Sequence, residues 1–478
     1  MRLLPLVLAS AAMSALVAPA SAEGLFEAIE AAYATNPELA AARAAARQVD
    51  ESVSIARSEM RPSLNGVITF NQDFFEFSDF GRIANFGVQL EQPVFAGGRI
   101  RRNISAAEAR VGAAREQLRA LENRIIGDTV AAYADVLATR AEVELNRNQV
   151  RLLENELRAS SDRFEVGDVT RTDVAQSEAQ LEDARARLVI AEGQALTAEQ
   201  AFIRIVGRPP GQLDPLPDLP PLPGNDMEAR DVALASNPDL MAARFSETAA
   251  GETVRVVRNE RFPTIGVTAG MFYQAADGGP FAAFRPDGKV NRIDVRATMP
   301  LLTGGAISAR TRQAQAAQSE AIENIEVVSR LVVESTVNAM IALRAAESVI
   351  RSLRIAIDAS ALASEGVRQE NLVGARDVIE VLRAEQDLLN TRVALVRAER
   401  DRYVAAYRLL QVLGRAEVAI LGVTDRLYDP AVNFRRVARR WQEFGQDPRP
   451  VQDRARNRPP GAPEPEERPP QPRLRMGP

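Results

Sequence analysis

The stretch Gln92-Pro93-Val94-Phe95-Ala96-Gly97-Gly98 has a counterpart, Met299-Pro300-Leu301-Leu302-Thr303-Gly304-Gly305, 207 residues further along the chain. In both places a segment that alternates apolar and polar residues precedes the stretch, and a long segment without proline follows it. Asn36-Pro37-Glu38-Leu39 likewise returns as Asn237-Pro238-Asp239-Leu240. A repeat of this length predicts two structural copies of one long unit.

The spacing between the copies is constant over their second halves. Gly207 and Gly414 are 207 residues apart, as are Pro93 and Pro300, whereas Asn36 lies 201 residues before its counterpart. One insertion of six residues therefore separates the copies, and it falls in the alternating segment before residue 300. The matched length after that point is expected of rigid helical rods.

Residues 1–22 have the features of a secretory signal peptide. Arg2 precedes an apolar run, and Ala20-Ser21-Ala22 forms a small-residue cleavage site. The mature chain is expected to begin near Glu23 and to leave the cytoplasm. No later segment approaches the roughly 20 apolar residues of a membrane helix, so any insertion into a membrane is expected through strands.

The chain contains neither cysteine nor histidine. This composition removes thiol nucleophiles, imidazole bases and the commonest metal ligands, so we predict no catalytic residues, no cofactor and no bound metal. A secreted hydrolase that relies on serine and aspartate has no G-x-S-x-G motif to support it. The net charge of −5, without a basic block before the tail, argues against a nucleic-acid partner.

The repeated Asn-Pro-acid motif predicts a helix at the start of each copy. Asn36 and Asn237 suit the N-cap position, and the following proline suits the first helical position. These helices are expected to end before Pro62 and Pro263.

Proline is absent from residues 94–208 and 301–428, so each tract is predicted to be helical apart from one turn, at Gly167 and at Gly374. The arm before Gly167 would be about 100 Å long at 1.5 Å per residue. The returning arm and the opening helix, placed end to end, would together have about the same length as this long arm. Apolar residues predict the seam of this antiparallel pair: Leu118, Leu121, Ile125, Val136, Leu137, Leu152 and Leu153.

Residues 85–91 and 292–299 alternate apolar and polar side chains with the period of a strand, and their partners are expected at 64–72 and 265–273. Each copy thus supplies one hairpin. A soluble antiparallel sheet packed on helices is one interpretation. The other is a membrane sheet whose polar residues face a watery lumen, namely Gln89, Glu91, Asp294 and Arg296.

A four-stranded sheet in lipid would leave unpaired backbone groups at both edges, at a cost of several kcal/mol each. Bacterial barrels start at eight strands, so one chain cannot close the sheet alone. Three chains with four strands each would give twelve. The helices are too long to fold back over a small sheet, which favours the membrane interpretation.

The duplicated order of helix, hairpin, Gly-Gly-Arg, long helix, Val-Gly turn and returning helix resembles the TolC family of trimeric outer-membrane ducts, from about Glu23 to Arg426. Four stretches are similar to the branch associated with type I secretion, at residues 166–176, 206–211, 366–370 and 380–386. The resemblance implies a mainly α fold with a membrane β-barrel part: a homotrimeric twelve-stranded barrel in outer-membrane lipid, continued by an α-helical barrel across the periplasm. It also implies a periplasmic adaptor and an inner-membrane ABC or other pump as partners.

The resemblance implies that the two helical turns form the periplasmic tip, with Gly167 and Gly374 as the turn glycines. The adaptor would dock on the residues around them: Val166, Asp168, Val169, Val373 and Ala375. The alternative is that any helical hairpin favours glycine at its turn.

Glu380 matches an acidic position that lines the aperture of the family, and Asp173 holds the equivalent place in copy one. The alternative for both acids is helix capping, in the pairs Thr170 with Asp173 and Asp377 with Glu380. For Asp173 capping is preferred, and for Glu380 both interpretations stay open. Arg383 stands where the family often has a second acid, which makes an ion pair within or between chains possible.

The sequence is divided into a signal peptide (1–22), repeat 1 (23–207, hairpin about 62–93), a proline-rich connector (208–226), repeat 2 (227–426, hairpin about 263–300) and a tail (427–478) expected to be disordered from about 447. Phenylalanines 74, 75, 77 and 80 would form either an aromatic girdle or the core of the hairpin. The predicted function is a passive export duct for proteins or small compounds. A periplasmic coiled-coil scaffold without a pore is the competing hypothesis.

Overall fold

The computed structural model of the chain describes residues 23–75, 78–277, 287–416 and 428–441. The predicted signal peptide and the predicted disordered tail lie outside these residues. The predicted aromatic girdle also falls outside what is described, because residue 77 and the side chains of the other three phenylalanines are not included.

The described residues form nine α-helices and four β-strands. The first copy contains α1 (Leu25–Thr35), α2 (Pro37–Ser58), β1 (Ser63–Phe75), β2 (Ser78–Ala96), α3 (Arg99–Glu165) and α4 (Arg171–Val206). The second contains α5 (Asp226–Ser236), α6 (Pro238–Arg258), a 3-10 turn (Asn259–Arg261), β3 (Thr264–Asp277), β4 (Gly288–Thr298), α7 (Ala306–Leu372) and α8 (Val378–Val412). A final helix, α9 (Pro430–Val437), follows.

The prediction of two equal rods is confirmed, since α3 and α7 each contain 67 residues. At 1.5 Å per residue each helix is about 100 Å long. The paired shorter helices also match, with 22 and 21 residues in α2 and α6 and 36 and 35 in α4 and α8. Most of the predicted seam is buried, including Leu118, Ile125, Val136 and Leu153.

The prediction that each copy opens at the Asn-Pro motif is wrong. A helix of 11 residues, α1 or α5, precedes the motif in each copy. In α1 the buried residues Leu25, Ala28, Ile29 and Ala32 follow the three- and four-residue spacing of an amphipathic helix, a signal that the sequence contained. Asn36 then caps α2 as predicted, because its Oδ1 accepts hydrogen bonds from the backbone N–H of Glu38 at 2.8 Å and of Leu39 at 3.3 Å.

The chain divides into two compact units. The sheet unit comprises Ala34–Leu121, Pro238–Arg330 and Tyr428–Pro478, and the helical unit comprises Met1–Tyr33, Glu122–Asn237 and Leu331–Leu427. In the helical unit a cluster of Val150, Leu153, Leu181, Ala184, Val378 and Leu382 forms part of the core.

Residues 208–224 are an extended connector, as predicted from their prolines, without a helix or a strand beyond one isolated bridge at Leu213. The connector is held to the helical unit by buried tyrosines. The Tyr133 hydroxyl lies 2.8 Å from the carbonyl oxygens of both Glu23 and Asp214, and the Tyr403 hydroxyl donates to Pro217 O at 2.9 Å. Burial, reinforced by nearby acids, raises the pKa of Tyr133 to about 12, so it stays a neutral donor at physiological pH.

The junction between β2 and α3 requires glycine. Gly97 has φ +60°, and a Cβ placed there would lie 2.5 Å from the Cβ of Phe262. We expect Gly97→Ala to lower the free energy of unfolding by about 2 kcal/mol, because the left-handed backbone and the contact both oppose it. Gly304→Ala is the matched control, since Gly304 has φ +58° and open space around it; it should cost about 1 kcal/mol. Equal shifts in the thermal unfolding midpoint of the two variants would contradict the role of Phe262.

Candidate functional site

The four strands form one antiparallel sheet in the order β1-β2-β3-β4. Thr268 of β3 lies opposite both Glu91 of β2 and Asp294 of β4, and Gly270 lies opposite both Gln89 and Arg292. Directly opposed residues point to the same face of a sheet. The register therefore places the four predicted lumen residues, Gln89, Glu91, Asp294 and Arg296, on one face.

The same face carries further polar side chains, and the Asn85 amide donates to the Thr69 hydroxyl at 3.0 Å. We call it the polar face. Its other polar members are Asn65, Asn71, Gln274 and Arg292.

The opposite face is mainly apolar and exposed to solvent, and its polar residues Gln72, Arg82, Lys289 and Asn291 lie toward the two hairpin turns. Ile68 is 77% exposed and Ile293 is 78% exposed. Alternation along each strand assigns the other large side chains of this apolar face: Leu64, Phe70, Phe86, Val88, Leu90, Met271, Tyr273 and Val295. So large an exposed apolar surface is unusual on a soluble monomer and marks a surface that another apolar phase covers.

The two outer strands each have one neighbour. Among the described residues β1 pairs only with β2, and β4 pairs only with β3. Both strands thus present a row of backbone groups available for pairing with another chain.

Within the part of the chain that is described, no helix has the length and apolarity needed to cross a membrane.

The first helical turn, in the helical unit, ends α3 with two backbone hydrogen bonds. The N–H of Gly167 donates to Phe164 O at 3.0 Å, and the N–H of Asp168 donates to Arg163 O at 2.9 Å. This pattern needs a left-handed residue, and Gly167 has φ +80°. Thr170 then caps α4, and the Thr170 N–H donates to the Asp173 carboxylate at 2.8 Å, so the preferred capping interpretation of Asp173 is confirmed.

The second turn repeats this geometry at the end of α7. The N–H of Gly374 donates to Asn371 O, and that of Ala375 donates to Glu370 O, both at 2.9 Å, and Gly374 has φ +74°. The helix-hairpin explanation for the glycines therefore holds at both turns.

Beside each glycine stands an exposed valine. Val166 is 80% exposed and Val373 is 79% exposed. A Cβ added to Gly167 or Gly374 would meet no heavy atom within 4 Å. Each turn therefore offers an apolar side chain with free space beside it.

Two interpretations of Glu380 were open, and the capping pair with Asp377 is not formed. Asp377 occupies the N-cap position of α8, but its side chain makes no capping hydrogen bond. The carboxylate of Glu380 instead accepts from Arg376 Nη1 at 2.9 Å, and Arg376 Nε donates to Glu370 at 2.8 Å. These hydrogen bonds raise the pKa of Arg376 above its ordinary value, so the guanidinium remains charged.

Arg383 is exposed and makes no ion pair with the described residues of its own chain, so of the two possible ion pairs the one within the chain is not formed. Arg376 was not among the predicted site residues, although it lies four residues before Glu380, a spacing that favours an ion pair on a helix. Beside this turn, Glu380 is therefore paired with Arg376, and Arg383 is an exposed cation.

The model of the family "Outer membrane efflux protein" matches residues 28–208 and 229–415 of the chain. The chain is 35% identical over 422 residues to the outer membrane efflux protein BepC of Brucella suis. This alignment covers 88% of this chain and 92% of BepC. It is 26% identical to the outer membrane protein TolC of Vibrio cholerae, over 86% of this chain and 95% of TolC. The alkaline protease secretion protein AprF of Pseudomonas aeruginosa is 24% identical over 74% of each chain.

Among solved structures, the outer membrane protein VceC of Vibrio cholerae superimposes with a TM-score of 0.71 at 20% identity, covering 82% of this chain and 96% of VceC. This agreement establishes the fold, in which long helices are joined to a four-stranded antiparallel sheet. The family match covers well over half of the chain, and the BepC similarity covers 88% of it. The chain belongs to the outer membrane efflux protein family and is an outer-membrane channel protein of the TolC type.

Proposed function

We propose that three copies of this chain assemble into a passive duct, the outer-membrane part of a tripartite export system. The observation that carries the proposal is the separation of the sheet into a polar and an apolar exposed face. A closed twelve-stranded barrel would turn the apolar face to lipid and the polar face to water, and it would pair the free edges of β1 and β4 between copies.

The helices support assembly independently of the sheet. In the helical unit, α7 exposes Ile341, Ile355 and Leu362, which are separated by 14 and 7 residues. The α4 helix exposes Val189 and Leu196, which are 7 residues apart. Apolar residues at multiples of seven form the seam of packed parallel or antiparallel helices, and these stripes have room for helices of neighbouring copies.

Planar-bilayer recording tests the proposal against the pore-free scaffold. The purified mature protein should give discrete conductance steps, because a barrel lined by Gln89, Glu91, Asp294 and Arg296 holds water. A protein that remains water-soluble and gives no conductance would favour the scaffold.

The cargo proposal includes both type I protein secretion and efflux of small compounds. AprF is named for secretion of a protein and BepC for efflux, and both resemble this chain. Expression together with an inner-membrane pump and a periplasmic adaptor, in a strain without its own channel, separates the two. Appearance of a secreted protein in the medium supports the first, and lower accumulation of a fluorescent dye supports the second.

We further propose that a periplasmic adaptor docks on the two turns, at Val166, Gly167, Asp168 and Val169 and at Val373, Gly374 and Ala375. Glu380, Arg383 and, in the first copy, Asp173 would line the aperture beside them. With Glu380 paired to Arg376 and Arg383 exposed, the aperture would be less acidic than a ring of unpaired carboxylates.

Gly374→Phe should reduce export at least about tenfold, because a bulky side chain fills the free space beside Val373 in which the adaptor would sit. Gly305→Phe is the matched control, since Gly305 also has positive φ and open space but lies before α7. Both variants carry the same backbone strain, so a common loss of folding would appear in both. Export that is equal in the two variants would contradict the docking assignment.

A further inference from the structure

The last described helix ends in a basic and aromatic cluster. Residues 429–441 contain four arginines and a single acid, Asp429. Arg435 is paired with Asp429 at 2.9 Å, whereas Arg436 donates to the neutral amide of Asn433. Arg439 is exposed and forms no ion pair with the described residues, and Trp441 is 65% exposed. We call Arg436, Arg439 and Trp441 the α9 patch.

The segment that carries the patch is held firmly on α2 within the sheet unit. At the start of this segment the Tyr428 ring lies 5.1 Å from the Arg43 guanidinium. At its end the backbone carbonyl of Arg440 accepts a hydrogen bond from Arg61 at 2.7 Å. Between them the Asn433 amide donates to Asp50 at 2.8 Å and Arg57 donates to Ala438 O at 2.9 Å. The patch therefore has a fixed position relative to α2.

The α9 patch lies at the end of the sheet where the strands join α2 and α3, which we call the helical end of the sheet. Arg61 lies two residues before β1, so the end of α9 lies beside the start of an edge strand. Arg99 and Arg101 are exposed in the first turn of α3, directly after β2. This turn contains no acid, although the positive end of a helix favours acids over arginines. Arginines thus lie next to the helical ends of β1 and β2, with Glu59 at the end of α2.

We propose that the α9 patch binds anionic phospholipid headgroups of the leaflet that borders the helical end of the sheet. This inference rests on one part of the proposed function, namely that the sheet spans the outer membrane. Arginine forks match phosphate geometry, tryptophan prefers the interface between headgroups and acyl chains, and clustered cations attract anionic lipid. The patch then fixes the depth of the sheet in the membrane.

The chain contains one tryptophan, so Trp441 is a specific fluorescent reporter of the patch. The mature protein is reconstituted into phosphatidylcholine vesicles that contain either brominated phosphatidylglycerol or brominated phosphatidylcholine at equal mole fraction. Bromine quenches tryptophan on contact. We expect quenching by the anionic lipid to exceed that by the zwitterionic lipid by about threefold, because each arginine near the surface enriches anionic lipid.

The variant Arg436→Gln/Arg439→Gln should bring this ratio close to one. The control variant Arg351→Gln/Arg392→Gln removes two exposed arginines from the helical unit and should keep the ratio of the unmodified protein. Conductance of the same vesicles reports the proposed function separately.

Several results would overturn the proposal. Conductance without quenching of Trp441 by either lipid would refute the patch and leave the duct intact, whereas absence of conductance would refute the duct. Equal quenching by both lipids would refute the headgroup preference. Loss of the oligomer in the arginine variant would identify the patch as a contact between copies, and a response to soluble peptidoglycan fragments alone would identify a glycan partner.

Discussion

Ile68→Arg is expected to prevent accumulation of the protein in the outer membrane, whereas Thr69→Arg, one residue further along the same strand, is expected to be tolerated. Both side chains are exposed in the single chain, but Ile68 belongs to the apolar face and Thr69 to the polar face. An arginine that faces lipid near the bilayer midplane costs about 2–4 kcal/mol, and a trimer would carry it three times. An arginine in a watery lumen avoids that cost.

The comparison is measured as the amount of assembled protein in the outer-membrane fraction, relative to total expression. Thr69→Arg removes one hydrogen bond from Asn85, so a small loss is expected there as well. A soluble sheet would tolerate both substitutions equally, and equal recovery of the two variants would therefore refute the lipid contact of the apolar face.

Arg397→Ala is expected to lower the free energy of unfolding by about 3 kcal/mol, because it leaves a buried carboxylate without its counter-charge. Glu142 is 5% exposed, and Arg397 donates to its two carboxylate oxygens at 2.8 and 2.7 Å. The value is at the lower end of the range for buried pairs, because more than half of the Arg397 side chain is exposed.

Arg392→Ala on the same helix is the control. Arg392 is exposed and makes no ion pair with the described residues, so its removal should change stability by less than about 0.5 kcal/mol. Thermal midpoints are compared at one protein and detergent concentration, since assembly makes them concentration-dependent. The double variant Glu142→Gln/Arg397→Ala should recover part of the loss. Identical midpoints for Arg397→Ala and Arg392→Ala would show that the buried pair contributes nothing.

The sequence predicted the rods and the strands because their signals are periodic and long. Proline-free tracts whose glycines repeat at equal spacing predicted the two 67-residue helices, and alternation around Phe86 and Ile293 predicted the strands and their faces. The short helix α1 was not predicted, because eleven residues contain only about three turns of apolar periodicity. The α9 helix was not predicted either, because its eight residues contain only about two turns.

The turns show where local patterns stop being sufficient. Thr170 with Asp173 and Asp377 with Glu380 have the same spacing, yet only the first pair forms a capping box. In the second pair the Glu380 carboxylate accepts from Arg376 and not from the Asp377 N–H, a competition between donors that spacing alone does not resolve. The docking and aperture roles of these turns involve other chains and stay predictions.

The central claim is that the free strand edges of one chain are closed by two identical chains. Native mass spectrometry of the mature protein, released in mild detergent from outer membranes, tests it most directly. The account predicts a particle with the mass of three chains that persists on dilution. A particle with the mass of one chain would contradict it, since four strands cannot close a barrel in lipid.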